Sequence, residues 1–271
     1  MTNKVILITG ASSGMGKITA EDLIKAGHSV YCVARRVDKM QDLAELGGHV
    51  LQMDVTNEAD IERVVQQVIN EQGRIDVLWN NAGYGFYGPV EELSMEQVQS
   101  QFEVNVYGVA RLTQKVLPYM RKQRDGLIIN TSSMGGKIYT PLGAWYHATK
   151  HAIEGYSDCL RLELKAFNIK VVVLEPGMID TGFNQGVRDH FSFESQTGPY
   201  KEVVNAYIKA MDNPPVAGSN PKVISKTVQK IINSRRPKTR YLVGRGSHLL
   251  LGIRRIFGDR VYDRMMLSQM K

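Results

Sequence analysis

Short apolar runs alternate with longer stretches of helical periodicity through the first two thirds of the chain. The apolar runs predict six strands, at Val5–Thr9, Ser29–Ala34, Val50–Met53, Ile75–Trp79, Leu127–Thr131 and Lys170–Leu174. The stretches between them predict helices at Met15–Ala26, 38–46, 58–71, from the capping box of Ser94 and Gln97 to about Arg121, and at Ala144–Phe167. Strands that are apolar on both faces are typical of a parallel sheet covered by helices. The pattern therefore predicts an α/β fold with an open, doubly wound parallel sheet.

The pattern loosens after Glu175-Pro176-Gly177. Residues 178–219 are rich in glycine, proline and aromatic residues, with one helix expected near 200–211. Two further helices, near 221–233 and 247–257, flank a short strand at Tyr241–Val243. A long irregular segment after a parallel strand is typical of substrate lids. With no repeat and no linker, we predict a single domain over 1–271, with a core at 1–182, a lid region at 183–234 and a basic helical tail at 235–271.

The positive charge of the chain is concentrated in that tail. The 271 residues carry 34 Lys and Arg against 27 Asp and Glu, a formal charge of +7, and 43% hydrophobic residues exclude a disordered or fibrous chain. Residues 235–271 hold ten of the basic and two of the acidic side chains, so the remainder is close to neutral. The tail could be an amphipathic helix on an anionic membrane surface, a nucleic-acid contact, or a helical pair that caps the domain with its arginines in water. We favour the third interpretation, leave peripheral membrane contact open, and expect no nucleic-acid partner because no recognition motif is present.

Cysteine usage and the N-terminus indicate the compartment. Two cysteines cannot form a disulfide framework, and the surroundings of Cys32 and Cys159 predict buried thiols. The six histidines show no ligand spacing with either cysteine, so no metal is expected. The first apolar run, Val5-Ile6-Leu7-Ile8, has the length of a strand and not of a signal-peptide core, and no run approaches the roughly 18 residues of a membrane helix. We therefore expect a cytoplasmic protein.

A glycine-rich turn joins the first strand to the first helix. It reads Thr9-Gly10-Ala11-Ser12-Ser13-Gly14-Met15-Gly16, and no Gly-Lys-Ser/Thr follows as in a P-loop. Glycines here let the backbone approach a pyrophosphate, which the N–H groups of a helix N-terminus stabilise. The alternative is a tight turn that needs glycine for its own geometry. The order of strand, turn and helix favours a Rossmann-type dinucleotide site.

The second strand ends on a pair of arginines, in the sequence Ala34-Arg35-Arg36. In many dinucleotide-binding proteins an acidic residue at this point holds the adenosine ribose of NAD. Two guanidiniums without a carboxylate suit a 2′-phosphate instead. The sequence therefore predicts NADP(H) as the cofactor.

Three side chains form a candidate catalytic group. Tyr146 and Lys150 lie four residues apart on a predicted helix and share a face, and Ser133 lies 13 residues before Tyr146. Hydride transfer between a nicotinamide and a carbinol carbon requires one proton to move to or from the oxygen. A free tyrosine titrates near pKa ~10, and an ammonium ~4–5 Å away stabilises its phenolate by roughly 3–4 kcal/mol. We therefore expect Lys150 to lower the pKa of Tyr146 towards neutral pH.

With these motifs the sequence resembles the short-chain dehydrogenase/reductase family over about residues 3–182. The ordered motifs are Thr9-Gly10-x-x-x-Gly14-x-Gly16, Asp54, Asn80-Asn81-Ala82-Gly83, Asn105, Ser133, Tyr146-x-x-x-Lys150, and Pro176-Gly177 with Thr181. The run from Tyr146 to Gly155, with Glu175-Pro176-Gly177, looks like the hydroxysteroid/retinol-dehydrogenase-like branch of the family. The 13-residue spacing of the family motif favours Ser133 over its neighbour Ser132.

The resemblance implies roles for individual residues. It implies that Tyr146 is the general acid/base, that Lys150 bonds the nicotinamide ribose, that Ser133 steadies the substrate oxygen, and that Asn105 helps hold a water. It places the other cofactor contacts at Gly10, Ser12, Ser13, Gly14, Met15, Gly16, Arg35, Arg36, Asp54, Val55, Asn81, Ala82, Gly83, Pro176, Gly177 and Thr181. It also implies a homodimer or homotetramer that pairs through the helices at about 94–121 and 144–167.

The substrate side of the predicted site is apolar. Candidate walls are Tyr84, Phe86, Tyr87, Met134, Tyr139, Trp145, Met178, Phe183, Phe191 and Phe193. They suggest a hydrophobic alcohol or ketone, although the same side chains could instead pack the lid onto the core. Serine hydrolase chemistry is disfavoured because no G-x-S-x-G elbow is present. A non-catalytic NADP(H)-sensing or scaffold protein on the same fold is the alternative function.

Overall fold

One parallel sheet organises the molecule. The computed structural model describes residues 3–191, 193–212, 214 and 217–268, and within them seven parallel strands pair in the order β3-β2-β1-β4-β5-β6-β7. The strands are β1 Val5–Thr9, β2 Ser29–Ala34, β3 His49–Gln52, β4 Val77–Asn80, β5 Gly126–Thr131, β6 Ile169–Pro176 and β7 Arg240–Val243. The chain order reverses between β1 and β4, and a crevice for a ligand forms at such a point beyond the carboxyl ends of the strands. The predicted α/β, doubly wound, Rossmann-type fold is confirmed.

Helices cover both faces of the sheet. Their bounds are α1 Gly14–Lys25, α2 Gln41–Glu45, α3 Glu58–Gln72, α4 Met95–Phe102, α5 Gly108–Gln123, α6 Ala144–Leu164, α7 Phe183–Arg188, α8 Phe193–Thr197, α9 Lys201–Asp212, α10 Lys222–Asn233 and α11 Ser247–Ser268. A 3-10 turn at Val37–Met40 precedes α2, so the helix expected over 38–46 is divided.

Helices α1 and α10 pack together on one face of the sheet. Leu23 of α1 and Val228 of α10 are fully buried in one apolar core with the alternate side chains of β1. Ser225 in α10 donates a 2.5 Å hydrogen bond to the Asp22 carboxylate in α1. The apolar face of α1 is therefore covered by a helix that lies about 200 residues later in the chain.

Helices α3, α5 and α6 cover the opposite face. Val64 of α3, Leu112 of α5 and Leu160 of α6 are buried in a second core with Leu7 and Ile128 of the sheet. Burial of each such aliphatic side chain contributes about 1.5–3 kcal/mol. Helix α6 is thereby fixed along the sheet, with its N-terminal turns beside the carboxyl ends of β4 and β5.

A π-helical turn interrupts the helix that was expected to run from Ser94 to about Arg121. The capping box is confirmed: Gln97 N–H donates to Ser94 Oγ (3.2 Å), and Ser94 N–H donates to Gln97 Oε1 (2.9 Å). After α4 the chain widens into a π turn at Glu103–Tyr107 before α5 begins. Such turns are frequent at functional sites, and this one carries Asn105.

The C-terminal segment packs on the domain. β7 pairs with β6, and α11 continues to Ser268 beyond the 247–257 that was expected, with a break at Gly258 (φ 73°). Tyr262 is fully buried, and its hydroxyl donates to the Tyr139 carbonyl (3.0 Å). The tail is therefore an integral part of the structure.

One of the two cysteine predictions is wrong. Cys32 is buried in β2, as expected, whereas Cys159 is exposed on α6. The buried positions of α6 include Ile153, Ser157 and Leu160, and Cys159 lies on the opposite face with exposed Leu162. In the part of the chain that the structure describes, no helix combines the length and apolarity needed to cross a bilayer, and no cluster of three His, Cys, Asp or Glu side chains could hold a metal ion.

Candidate active site

The glycine-rich turn packs backbone against backbone. Gly10 and Gly14 adopt φ values of 69° and 55°, which favour glycine. A Cβ on Gly10 would lie 2.9 Å from Ala82 Cα, and one on Gly16 would lie 2.4 Å from the Gly10 carbonyl oxygen. The Ser13 side chain makes no capping hydrogen bond to α1. The turn thus presents the N-terminus of α1, with its N–H groups, to the crevice.

Asn81 ties the loop after β4 to this turn. Its Nδ2 donates to the Thr9 carbonyl (3.0 Å), while Thr9 Oγ1 accepts the N–H groups of Asn81 and Ala82, both at 2.9 Å. Asn81 Oδ1 is buried and has no hydrogen-bond partner among the described residues. Within the described ranges the buried Asn81 Oδ1 lacks a hydrogen-bond donor, and it lies beside the glycine turn, where a Cβ on Gly10 or Gly16 would clash. Such a site fits a ligand that carries hydroxyl groups and a pyrophosphate. The residues present therefore fit a dinucleotide.

The arginine pair lies at the same edge of the sheet. Gly10 N–H donates to the Val33 carbonyl at 2.9 Å, so the end of β2 is held beside the glycine turn. Arg35 and Arg36 follow two residues later, and both are exposed. Both side chains are therefore exposed at the strand end that lies beside the glycine turn.

The other predicted cofactor contacts surround the crevice. Asp54 and Val55 follow β3, where Asp54 Oδ1 accepts the Thr56 N–H (2.9 Å). Thr181 lies across the glycine turn, with its Cβ 3.6 Å from a Cβ built on Gly14. The remaining predicted contacts lie in the same loops, with Ser12 and Met15 in the glycine turn, Gly83 after β4, and Pro176 and Gly177 at the end of β6.

The two candidate serines have different surroundings. Ser132 is buried, and its Oγ donates to the Lys150 carbonyl at 3.3 Å. Ser133 is half-buried; its Oγ accepts the Gly135 N–H at 3.0 Å and lies 3.4 Å from the Pro176 carbonyl. Of the two, Ser133 is the serine that interacts with Tyr146, where it acts to lower the pKa of the phenol.

Tyr146 and Lys150 lie one turn apart on α6, and both are buried. Lys150 Nζ donates to the Thr131 carbonyl at 3.0 Å and lies 5.8 Å from the centre of the Tyr146 ring. Burial raises the pKa of Tyr146 to about 12, opposed by the hydrogen bond from Ser133, and burial lowers the pKa of Lys150 to about 8. The expected lowering of the Tyr146 pKa by Lys150 is therefore not seen in this structure, because burial is the largest cause of both shifts and disfavours the charged form of each group.

Asn105 is fixed by the loop that follows Asn80-Asn81-Ala82-Gly83. Its Nδ2 donates to the Tyr84 carbonyl (2.8 Å) and to Thr149 Oγ1 (3.2 Å), and its Oδ1 accepts the Tyr84 N–H (3.1 Å). A Cβ on Gly83 would lie 3.1 Å from Asn105 Oδ1 and 3.6 Å from Lys150 Nζ. Gly83 therefore lies close to both the Asn105 amide and the Lys150 ammonium, where the π turn, the loop and α6 meet.

Aromatic side chains form the wall beside Tyr146. The Tyr146 ring lies 5.5 Å from that of Tyr87 and 5.4 Å from that of Phe183, and Tyr87 stacks on Tyr207 at 5.6 Å. Phe191 lies 6.1 Å from Tyr207. Tyr87, Phe183 and Phe191 therefore lie near Tyr146, and Tyr87 and Phe191 are buried in one apolar cluster with it. The sequence analysis missed Tyr207, although the apolar face of α9 could have indicated it.

Two of the expected wall residues need separate comment. Tyr139 faces the tail and not Tyr146: its ring lies 5.1 Å from that of Tyr262, and its hydroxyl donates to Asp263. The expectation that Tyr139 borders the substrate is wrong, because α11 covers it. The Phe193 side chain lies outside the described part of the structure.

A buried ionic cluster lies behind the site and was missed by the sequence analysis. Glu154 and Glu175 are both buried and converge on Arg240 Nε, at 3.0 and 3.4 Å, while Lys137 contacts Glu154 at 2.9 Å. Burial, together with the neighbouring Glu154, raises the pKa of Glu175 to about 7. Glu154 is one helical turn from Lys150, and its charge acts to raise the Lys150 pKa against the larger lowering by burial.

The fold and the crevice define the class of the protein, a Rossmann-type nucleotide-binding oxidoreductase with a Ser, Tyr and Lys group at the crevice. A family model described as short chain dehydrogenase matches residues 4–191. The 3-ketodihydrosphingosine reductase of Bacteroides thetaiotaomicron is 39% identical over 247 residues, which is 90% of this chain and 89% of that protein. The chain belongs to the short-chain dehydrogenase/reductase family.

Solved structures show the same architecture. A short-chain dehydrogenase from Streptomyces avermitilis superimposes with a TM-score of 0.82 at 33% identity, covering 93% of this chain and 91% of that one. A serine dehydrogenase complexed with NADP+ gives a TM-score of 0.78 at 27% identity, covering 89% and 94%. A family member from Burkholderia phymatum in complex with NAD gives 0.78 at 25% identity, covering 94% and 92%. The structural relatives thus include both NADP and NAD complexes.

Proposed function

We propose that this chain is an NADP(H)-dependent oxidoreductase that interconverts a ketone and a secondary alcohol on a hydrophobic substrate. The observation that carries the proposal is the convergence of Ser133, Tyr146 and Lys150 where the dinucleotide cradle meets the aromatic wall. A buried phenol there has a hydroxyl partner on one side and aromatic side chains on the other. Such a group is suited to proton transfer at a substrate oxygen.

The proton-transfer step follows from the geometry of Tyr146. When bound, the dinucleotide supplies or accepts the hydride at the substrate carbon. In reduction, the Tyr146 hydroxyl gives its proton to the carbonyl oxygen, and Ser133 Oγ donates a hydrogen bond to the same oxygen. A phenol whose pKa is raised by burial is neutral at pH 7 and ready to donate, which is the form that reduction requires. In the reverse direction, the phenolate would accept the proton of the alcohol, with Lys150 stabilising its charge.

The positions of Arg35 and Arg36 support NADP(H) over NAD(H). Both guanidiniums are exposed at the end of β2, which Gly10 holds beside the pyrophosphate cradle. The sequence has no carboxylate at this strand end to hold a ribose diol. Guanidiniums bind phosphate oxygens through paired, charge-assisted hydrogen bonds.

The aromatic wall supports a substrate with an extended apolar part. Tyr87, Phe183, Phe191 and Tyr207 lie on the lid side of Tyr146, and ordered aromatic rings bind aliphatic or fused-ring surfaces. The Bacteroides relative is named for a reductase of a long-chain ketone. A long-chain 3-ketone is therefore the first substrate class to assay.

Replacement of Tyr146 by Phe tests the catalytic assignment. The substitution removes the proton donor but keeps the ring in its aromatic cluster, so we expect kcat to fall by about 10²–10⁴-fold with the affinity for NADPH unchanged. Turnover is followed by NADPH absorbance with a panel of hydrophobic ketones, and NADPH binding by fluorescence titration.

Tyr156→Phe is the matched control, since Tyr156 lies on the same helix but packs on the second apolar core. That variant should retain full activity. A Tyr146→Phe enzyme with normal turnover would refute the assigned role. Tight NADPH binding by the wild-type chain without turnover of any ketone or alcohol would favour the sensor or scaffold function.

We also propose a homo-oligomer that pairs through α5 and α6. Tyr107 is 50% exposed at the start of α5, and Leu162 is 69% exposed on α6. Large apolar side chains exposed on adjacent long helices are typical of a subunit interface. In this arrangement, Cys159 would lie at the interface.

A further inference from the structure

The C-terminal helix α11 presents an unusual outer surface. Four of its aliphatic or aromatic side chains are more than half exposed: Leu249 at 67%, Ile256 at 74%, Phe257 at 61% and Leu267 at 57%. Val261 is also exposed. We define the α11 surface as Leu249, Arg255, Ile256, Phe257, Arg260, Val261, Arg264 and Leu267. Exposure of this many apolar groups on one element indicates a binding surface.

The α11 surface includes three arginines and no carboxylate, and the two exposed acids of α11 contact other residues: Asp259 pairs with Arg254, and Asp263 accepts the Tyr139 hydroxyl. Arg255, Arg260 and Arg264 are exposed, and in the described part of the chain none of them has a carboxylate within 4.0 Å. Arg254, on the inner side, is different: it pairs with Asp259 at 3.1 Å and stacks on the Tyr139 ring at 4.6 Å. The outer arginines are therefore available to an external partner.

The surface is held rigidly against the domain. Tyr262 and Ser247 are fully buried; Ser247 Oγ donates to the Gly244 carbonyl at 2.7 Å. The inner face contacts the loop from Lys137 to Tyr139, which connects the candidate serine to α6. The break at Gly258 turns the helix, so that exposed apolar side chains lie on both sides of the bend. The α11 surface is thus held in place by the buried inner face of the same helix.

We propose that the α11 surface docks on an anionic lipid surface. Aliphatic and aromatic side chains interleaved with unpaired arginines match the boundary between acyl chains and acidic headgroups. A second copy of this chain fits less well, because a two-fold contact through this surface would bring like-charged arginines together. Nucleic acid would satisfy the arginines but would leave Ile256 and Phe257 without an apolar partner. The docking is independent of the proposed reaction and is measured without it.

Flotation with lipid vesicles tests the proposal. The full chain is mixed with phosphatidylcholine vesicles, with and without phosphatidylglycerol in equal parts, at about 0.1 M and about 1 M salt. We expect the wild-type chain to float with the anionic vesicles at low salt and to remain unbound with the neutral ones. The triple variant R255Q/R260Q/R264Q should weaken binding by about 100-fold, and I256S/F257S by a similar factor.

The control variants carry substitutions of the same kind on other surfaces of the protein. R235Q/R236Q/K238Q removes three exposed charges from the loop before β7, and V90S removes an exposed apolar side chain from another surface. Both should bind vesicles as the wild type does, and circular dichroism checks that every variant is folded. Equal binding to neutral and anionic vesicles, or equal losses in the control and α11 variants, would overturn the proposal. So would wild-type vesicle binding by the triple variant together with a change in its oligomeric mass, since the surface would then bind a second copy.

Discussion

Replacement of Lys150 by Met should make the protein more stable while abolishing its activity. Lys150 is buried, and burial lowers its pKa from an ordinary value of 10.5 to about 8. At pH 7 the lysine is charged in both the native and the unfolded states, and the native state carries the desolvation cost, which is about 3 kcal/mol for this shift. A buried Met of similar length carries no such cost.

The net gain is smaller than the desolvation cost. The Met variant loses the 3.0 Å hydrogen bond from Lys150 Nζ to the Thr131 carbonyl, a loss of about 1 kcal/mol. We expect a net stabilisation of about 2 kcal/mol at pH 7, and a Tm about 4–8 °C higher. Stability and activity then change in opposite directions, as expected of a residue kept for its chemistry.

The stability difference between the Lys150→Met variant and the wild type should depend on pH. The pKa of Lys150 is lower in the native state than in the unfolded state. The desolvation cost of the charged lysine is therefore fully present below about pH 8 and disappears as the pH rises through 10.5. The advantage of the Met variant should therefore decrease by about 2 kcal/mol between pH 7 and pH 10.

Urea unfolding of both proteins at the two pH values measures this difference. Lys165→Met, at an exposed position just after α6, is the control and should show no pH-dependent gain. A Lys150→Met variant that is less stable than the wild type at pH 7, or whose advantage does not change with pH, would refute the reasoning.

Three further predictions concern the cofactor, the buried carboxylates and the subunit contact. Arg35→Ser/Arg36→Ser should weaken NADPH binding by about 100-fold and leave NADH binding unchanged in fluorescence titrations; an equal loss for both nucleotides would contradict the phosphate role. The pKa of Glu175 is raised by burial from 4.5 to about 7, so the wild type loses stability as the pH rises across that range. Glu175→Gln should be more stable than the wild type at pH 8 and equal to it near pH 4.5 in urea unfolding, and the opposite trend would show that the Arg240 contact dominates. Leu162→Glu should convert the proposed oligomer to monomers in light scattering, whereas Leu46→Glu, at another exposed leucine, should not.

The sheet and most of its helices could be predicted because their signals are local. The apolar runs of the central strands and the capping box at Ser94 each depend on a few neighbouring residues, and the structure confirms them. The π turn at Asn105 has no comparable local signal. It depends on hydrogen bonds to Tyr84 and Thr149, which come from other elements.

The surroundings of a side chain were harder to predict than its element. Cys159 lies in a helix, as predicted. The helical period places it on the exposed face of α6, opposite the buried positions. Tyr139 was among the side chains expected to line the substrate site, yet Tyr262 of α11, more than 120 residues later in the chain, packs against it. The pKa of Tyr146 was inferred from one charge, whereas its largest cause is burial among side chains such as Tyr87 and Phe183 from other segments of the chain.

The pairing of α1 with α10 has a consequence for synthesis of the chain. The apolar side of α1, with Leu23 and Ile24, emerges from the ribosome early, but α10, which covers it, ends only at Asn233. At typical elongation rates of about 5–20 residues per second, the nascent chain exposes that side for about 10–40 seconds. The edge strand β7 follows α10 and closes the sheet only after that interval. Chaperone dependence and aggregation during expression should therefore respond to changes in α10 more than to changes in the catalytic helix.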